Sequence, residues 1–228
     1  MLRTFVLGDI HGAYKALVQC LEASGFDREG DRLIFLGDAG DGWSQAPECI
    51  EELMTVRNLV YILGNHDIWL MEWLAFSWQP RLWLSQGGRE TIEAYSGSQW
   101  RTSRERHLDF LRQGVFYYLD NEQRLFVHGG IRPGRPLEEQ DEELLVWDRN
   151  LFYETEGVPG YREIYIGHTP TVSVSRTEPL NHGGADNIWR MDTGAGWNGP
   201  LSIMDVDTGR FWQSDIAADL YAGEKGRV

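Results

Sequence analysis

The chain has 228 residues, 42% hydrophobic and 25% charged, with 26 glycines and only 8 prolines, a globular composition long enough for a large core without metal or disulfide staples. Lys and Arg number 21 against 35 Asp and Glu, a net charge of −14 that speaks against nucleic-acid or anionic-membrane binding, since both need basic stripes. Two cysteines, Cys20 and Cys49, exclude a disulfide framework or four-thiolate zinc site; no apolar run is long enough for a signal peptide or a membrane span, and the expected location is the cytoplasm.

The first third of the chain repeats one pattern: a short apolar run, a Gly-Asp or Gly-Asn loop, then a helical stretch. Phe5-Val6-Leu7 leads into Gly8-Asp9, with Ala16, Leu17, Cys20 and Leu21 following at helical spacing. Arg32-Leu33-Ile34-Phe35-Leu36 leads into Gly37-Asp38, followed by Ile50, Leu53 and Met54 on the next helix. A third run over 58–63 leads into Gly64-Asn65-His66-Asp67. The repeat has the length of a βαβ unit, so a mainly parallel sheet covered on both faces is predicted, with ligand-binding loops at the carboxyl ends of its strands.

From 68 to about 114 the pattern is helical and aromatic-rich. Trp69, Trp73 and Phe76 recur at i, i+4 and i+7, which predicts one packed helix face, and Trp78 and Trp83 follow around Pro80. A packed helical subdomain is expected there, its aromatics also placed to rim a substrate cleft. The second half is β-rich: strands are predicted over 115–119, 124–127, 163–166 and 201–206, with the turn Asp207-Thr208-Gly209 leading into another at 210–213. The acidic run 138–143 reads as a solvated loop or helix face. No linker or repeat divides the chain, so residues 1–228 are expected to form a single domain.

Five polar clusters sit where these strands end: Gly8-Asp9-Ile10-His11-Gly12, Gly37-Asp38-Ala39-Gly40-Asp41-Gly42, Gly64-Asn65-His66-Asp67, His128-Gly129-Gly130 and Gly167-His168-Thr169. One such cluster is ordinary turn chemistry, and Asp9 alone reads as a turn or helix cap. Five in order are not. Carboxylate, imidazole and amide oxygen together suit Mn²⁺, Fe or Zn²⁺ better than an all-oxygen Mg²⁺ or Ca²⁺ cage. Asp38 can bridge two ions about 4 Å apart, the spacing of hydrolytic dinuclear centres, where a trapped water becomes a nucleophile near neutral pH. Four of the six histidines lie inside the clusters. His107 and His182 lie outside and read as surface or packing residues. Asp67, directly before Ile68, reads mainly as the N-cap of the following helix.

The ordered set GDIHG, GDAGDG, GNHD, HGG and GHT resembles the calcineurin-like metallophosphoesterases. Within them it is similar to the phosphoprotein phosphatase superfamily, whose pattern is GDxHG, GDxVDRG, GNHE, HGG and a late His. The likeness runs from residue 4 to about 214. Stretches such as 83–88, Val146-Trp147-Asp148-Arg149 and Asp192-Thr193-Gly194-Ala195 are most similar to the bacterial and phage branch, which includes the lambda phage phosphatase and the symmetrical diadenosine tetraphosphatases. The resemblance implies an α/β fold, a metallophosphoesterase-type β-sandwich of two mixed sheets flanked by helices, the second sheet beginning near Val115. It assigns Asp9, His11 and Asp38 to one divalent ion, and Asp38, Asn65, His128 and His168 to the other, with Mn²⁺ first and Fe or Zn²⁺ as alternatives. His66 would protonate the leaving oxygen, oriented by Asp41.

The chain departs from the pattern at one place. GDxVDRG carries a phosphate-gripping arginine where this sequence has Gly42, and glycine cannot replace a bidentate fork. Arg149 is the expected substitute and Arg132 the second choice. The resemblance implies a dinuclear phosphatase acting on phosphate monoesters by in-line attack of a metal-bridging hydroxide, with phosphoserine or phosphothreonine proteins as substrates. The alternative is a hydrolase of dinucleoside polyphosphates or another small phosphorylated metabolite; Asp67 in place of Glu and the net charge of −14 lean that way, and the absence of Arg-Gly-Pro after Asp41 leans against it. A metal-binding interaction module that has lost catalysis is the third reading.

Overall fold

The computed structural model describes residues 2–227. In chain order the elements are β1 (Thr4–Leu7), α1 (Tyr14–Ser24), β2 (Arg32–Phe35), α2 (Ala46–Met54), β3 (Asn58–Tyr61) and α3 (Asn65–Phe76). Three helices follow, α4 (Arg81–Trp83), α5 (Arg89–Ala94) and α6 (Arg104–Leu111), before β4 (Tyr117–Leu119) and β5 (Arg124–Val127). The remainder comprises α7 (Glu142–Trp147), α8 (Asn150–Tyr153), β6 (Glu163–Ile166), β7 (Ile188–Arg190), β8 (Pro200–Asp205), β9 (Phe211–Ile216) and α9 (Ala217–Leu220).

Side-chain alternation along the strands builds the layers. Phe5 and Leu7 of β1 and Leu33 and Phe35 of β2 point to one face, where they meet Leu17, Cys20 and Leu21 of α1 and Cys49, Ile50 and Leu53 of α2. Val6 and Ile34 point the other way, onto Phe126 of β5 and Tyr165 of β6. Leu125, Val127, Ile164 and Ile166 then cover the far side of the second sheet against Leu145, Leu151 and Phe152 of α7 and α8. Each such fully buried side chain stabilises by ~1.5–3 kcal/mol, so burial on both faces dictates the continuous apolar strands.

The first sheet has the order β3-β2-β1-β8-β9 and the second β4-β5-β6-β7. β1, β2 and β3 run parallel, and β8 is antiparallel to β1. β5, β6 and β7 run parallel, and β4 is antiparallel to β5. The protein is thus an α/β sandwich of two mixed sheets flanked by helices, as expected. The parallel strands of each sheet deliver their carboxyl-end loops to one edge.

Three local expectations differ from the structure. Trp69 and Trp73 are buried, but Phe76 is 80% exposed. Trp83, Tyr95 and Arg104 all gather on Trp73, and the chain leaves the helix at Ser77 with a left-handed φ of 57°, so Phe76 finds no wall. β7 has no strand signal in the sequence, because Arg190 hides its pattern: this arginine is fully buried, donating to the Phe152 carbonyl (2.6 Å) and Asp186 (2.9 Å). The strand predicted over 210–213 extends instead over Phe211–Ile216. Cys20 and Cys49 are buried free thiols.

Candidate metal centre

The loops after β1, β2, β3, β5 and β6 converge. The β2 loop is pinned to the β1 loop through its carbonyls: Ile10 and His11 donate their amides to Asp38 O (3.2 and 2.9 Å), and Gly12 donates to Ala39 O (2.9 Å). The two sheets are tied across the same spot, since His168 donates its amide to Asp9 Oδ2 (3.0 Å) and His128 Nδ1 donates to the Leu36 carbonyl (2.7 Å). Gly64 has to be glycine there, because a Cβ would stand 2.1 Å from Asp38 Oδ1. Four residues of the centre, His11, Asp38, Asp41 and His168, hold positive φ between 51° and 70°.

Asp9, His11 and Asp38 bring ligand atoms within 4.8 Å of one another, and Asp38, His128 and His168 form a second such group. Asp38 belongs to both. Its Oδ2 lies 3.6 Å from His11 Nε2 and 3.4 Å from His128 Nε2, and Asn65 Oδ1 stands 3.2 Å from His128 Nε2. His11 donates Nδ1 to the Gly40 carbonyl (3.0 Å), so on both His11 and His128 a backbone acceptor holds Nδ1–H and turns Nε2 inward. Asp9 Oδ1, His168 Nε2 and Asp192 Oδ2 are buried with no hydrogen-bond partner. A buried polar atom left alone costs about 1–3 kcal/mol, and several together in one pocket fit divalent cations.

Electrostatics match that chemistry. Burial and the neighbouring Asp192 push the Asp9 carboxyl well above the usual carboxylate range. Burial opposes the charge on Asp38 too, but His128, His66 and His11 outweigh it and hold the carboxyl well below that range. His128 is buried, yet Asp38 and Asp9 raise it to about 10. Burial pushes His11 well down, aided by Arg227, and takes His168 down to about 2. His128 is therefore the cationic histidine among these three ligand candidates.

His66 stands beside the centre. Its amide donates to Asp38 Oδ1 (3.0 Å), its Nδ1 meets Asp41 Oδ2 at 2.8 Å, and its buried Nε2 has no partner. Asp41 is itself held by Trp83 Nε1 (2.6 Å) and Thr91 Oγ1 (2.7 Å), and its amide donates back to Thr91 Oγ1 (2.9 Å). The helical stretch after α3 thus anchors Asp41. Sequence reading missed Thr91, and took Trp83 only as part of an aromatic patch.

Asp67 is not an N-cap. The helix begins at Asn65 with Gly64 as its cap, because Asp67 at the third helical position folds its carboxylate back on the loops. It accepts from the amides of Gly64 (2.8 Å), Asp38 (2.8 Å) and Ala39 (3.0 Å) and from the Tyr61 hydroxyl (2.8 Å). Of the histidines outside the clusters, His107 is buried between Tyr95 and Glu51, and His182 is exposed.

The arginines separate clearly. Arg149 places Nη1 3.0 Å from Thr169 Oγ1 and 3.3 Å from the His168 carbonyl, at the rim of the centre. Arg132 is exposed beside Asp141, Trp147 and Asp148, and its amide hydrogen bond goes to Gln140. A third arginine, Arg227, reaches His11. No motif surrounds it in the sequence, so nothing there could have found it. Asp192 was legible only within Asp192-Thr193-Gly194-Ala195, a stretch similar to the bacterial and phage branch, because the strand before it, with Arg190, carries no clear apolar pattern.

Comparison with known proteins places this geometry. The sequence model described as calcineurin-like phosphoesterase matches residues 2–199. A symmetrical bis(5'-nucleosyl)-tetraphosphatase of Pseudomonas putida (strain W619) is 26% identical, over 96% of this chain and 94% of its own. One from Pseudomonas entomophila (strain L48) is 32% identical over 70% of this chain and 55% of its own. Among solved structures, a metallophosphoesterase from Sphaerobacter thermophilus superposes with a TM-score of 0.62 at 15% identity, covering 96% of this chain and 90% of that one. A serine/threonine phosphatase from Saccharomyces cerevisiae gives 0.64 at 16% identity, covering 94% and 80%. These two likenesses concern the fold alone.

Proposed function

The chain belongs to the calcineurin-like phosphoesterase family, whose members are metal-dependent phosphoric ester hydrolases, and from that premise we propose that it hydrolyses small phosphorylated substrates of the dinucleoside polyphosphate class. The observation that carries the chemistry is the pair of ligand groups sharing Asp38, with His66 and Asp41 beside them. Asp9, His11 and Asp38 would hold one divalent ion and Asp38, Asn65, His128 and His168 the other. The mixed nitrogen and oxygen donor set suits Mn²⁺, Fe or Zn²⁺, and the resemblance to the bacterial and phage branch puts Mn²⁺ first. When bound, such a pair supplies Lewis-acid charge for the phosphoryl oxygens and acidifies a water.

The protein's own side chains do the rest. Asp41 accepts from His66 Nδ1 and orients the ring, and in the imidazolium form Nε2 carries the proton that goes to the departing oxygen. Arg149, with its guanidinium against Thr169, offers donors to a phosphate on the His168 side. Arg132 makes no side-chain hydrogen bond to the centre, so it is not given that role.

Aromatic rings support the nucleotide reading over the phosphoprotein one. Trp147 lies 6.0 Å from the His168 ring and Trp197 lies 5.9 Å from the His11 ring, so a half-buried indole stands at each end of the ligand set. A nucleoside base at the end of a phosphate chain suits such flanks, because indole faces stack bases, although one face of Trp197 is covered by the Arg227 guanidinium. The names of the Pseudomonas relatives point the same way. The test is a parallel assay of the Mn²⁺-loaded protein on diadenosine tetraphosphate, para-nitrophenyl phosphate, a phosphoserine peptide and a phosphotyrosine peptide. The highest kcat/KM is expected on diadenosine tetraphosphate. Preference for the phosphoserine peptide would restore the protein phosphatase reading, and no turnover of any would favour the interaction module.

A further inference from the structure

After α9 the chain turns back over the loop that carries Asp41 and Gly42, and it is fastened there at several points. Tyr221 stacks on Trp43 with ring centroids 5.1 Å apart, and its hydroxyl donates to Gln45 Oε1 (2.7 Å). Glu224 accepts from the Ser44 amide (3.0 Å) and hydroxyl (2.8 Å). The Arg227 amide donates to the Gly196 carbonyl (2.8 Å). The segment is thereby held against both the 42–45 loop and the loop after Asp192.

This seating carries the Arg227 guanidinium into the centre. It lies 4.2 Å from the Trp197 ring, Nη2 donates to Gln86 Oε1 (2.9 Å), and Nη1 donates to His11 Nε2 (2.8 Å). Its Nε is buried with no partner. The path of its stem depends on Gly42. That residue has φ +140°, and a Cβ added to it would meet the His11 carbonyl at 2.9 Å and Arg227 Cγ at 3.2 Å. A side chain at 42 and the Arg227 stem therefore compete for one space, and here the distant arginine occupies it.

We propose that Arg227 is a substrate-binding residue that grips the phosphate on the His11 side of the centre, supplying from the far end of the fold the guanidinium that position 42 lacks. The inference rests on the phosphohydrolase reading above. Were His11 to hold a metal, its Nε2 lone pair would no longer be open to Nη1, and Arg227 would keep its contacts with Trp197 and Gln86. Nη1 and the unpartnered Nε would then both be free to donate to a phosphate, as two separate N–H groups on different sides of the guanidinium. Arg149 lies against His168 and Arg227 against His11, so the two guanidinium groups stand on opposite sides of the ligand set.

The test compares wild type, Arg227→Ala and Arg227→Lys as full-length, Mn²⁺-loaded proteins. Readouts are inorganic phosphate affinity by calorimetry, metal content, and KM and kcat on diadenosine tetraphosphate and para-nitrophenyl phosphate. Arg227→Ala should weaken phosphate binding and raise KM by about 10- to 100-fold at unchanged metal content, with Arg227→Lys restoring part of both. Metal-free Arg227→Ala should also bind Mn²⁺ more tightly, having lost the competitor for His11. Hydrogen–deuterium exchange over residues 217–227 reports whether the segment stays seated; if the alanine variant unseats it, the lysine variant decides. Wild-type turnover with unchanged phosphate affinity in the seated variants would overturn the role of Arg227 while the phosphohydrolase reading stands. Absence of wild-type turnover would remove that reading, and the phosphate affinities would still decide for or against Arg227.

Discussion

Thr91→Val changes the shape of a buried side chain hardly at all and removes one hydroxyl, which makes it a sharp probe of how the helical stretch supports His66. The Thr91 hydroxyl donates to Asp41 Oδ1 (2.7 Å) and accepts from the Asp41 amide (2.9 Å), and Thr91 is fully buried. Losing a hydrogen bond to a buried carboxylate costs ~1.5–3 kcal/mol, and leaving the Asp41 N–H with no acceptor adds ~1–3 kcal/mol. The sum is about 2.5–6 kcal/mol, since no water can enter where a methyl replaces the hydroxyl. For a chain of this length 1 kcal/mol shifts Tm by ~2–4 °C, so a fall on the order of 10 °C is expected. Urea unfolding with a chelator present measures the difference without metal linkage, and an unchanged m-value shows that the end states are the same. Thr91→Ser keeps both hydrogen bonds and should lose only about 1 kcal/mol for its methyl. If Thr91→Val unfolds within about 1 kcal/mol of wild type, the anchoring of Asp41 by Thr91 is wrong. If it unfolds early but retains full kcat, Asp41 does not need that anchor to orient His66.

Three further outcomes follow from the centre. His66→Asn should leave metal content unchanged and slow hydrolysis by ~10²–10⁴-fold, with a smaller loss on para-nitrophenyl phosphate, whose leaving group needs less protonation; equal losses on both substrate types would remove the acid role. Asp38→Asn should lower occupancy of both metal positions together, and retention of two equivalents by metal analysis would contradict its sharing. Metal affinity should depend on pH in a definite sense. His128 is raised to about 10 in the metal-free protein, so it is protonated at neutral pH and has to release that proton before Nε2 can bind metal. Apparent Mn²⁺ affinity should therefore tighten by about tenfold per pH unit from pH 7 to 9, and a flat profile in a buffered titration would exclude this linkage.

The part of the centre legible in the sequence is the part built from strand ends. Asp9, Asp38, Asn65, His128 and His168 each follow an apolar run directly, and parallel pairing within each sheet carries such positions to one edge. The fold was readable for the same reason, because both faces of these strands are buried and the periodicity is strong. What was not readable depends on contacts without a local signature. Thr91 and Trp83 reach Asp41 from a helical stretch whose pattern speaks only of packing. Asp67 looks like a cap because it precedes an apolar helix, and only the fold of the Asp38 loop shows what its carboxylate holds. Arg227 meets Gly42 through a turn of the chain that no periodicity announces.

The left-handed backbone at His11, Asp38, Asp41 and His168 has a consequence for how this centre can evolve. Aspartate, asparagine and histidine tolerate that conformation better than other side chains, and most others meet a cost of roughly 1–2 kcal/mol there. Glutamate and cysteine are capable metal donors, yet at these positions each would bring the strain with it. Drift toward a thiolate site, or toward a longer carboxylate that shifts the ions apart, is thus opposed by the main chain before any metal is met. Donor chemistry and backbone geometry select the same few amino acids, which narrows the mutational routes by which this lineage could exchange one metal for another.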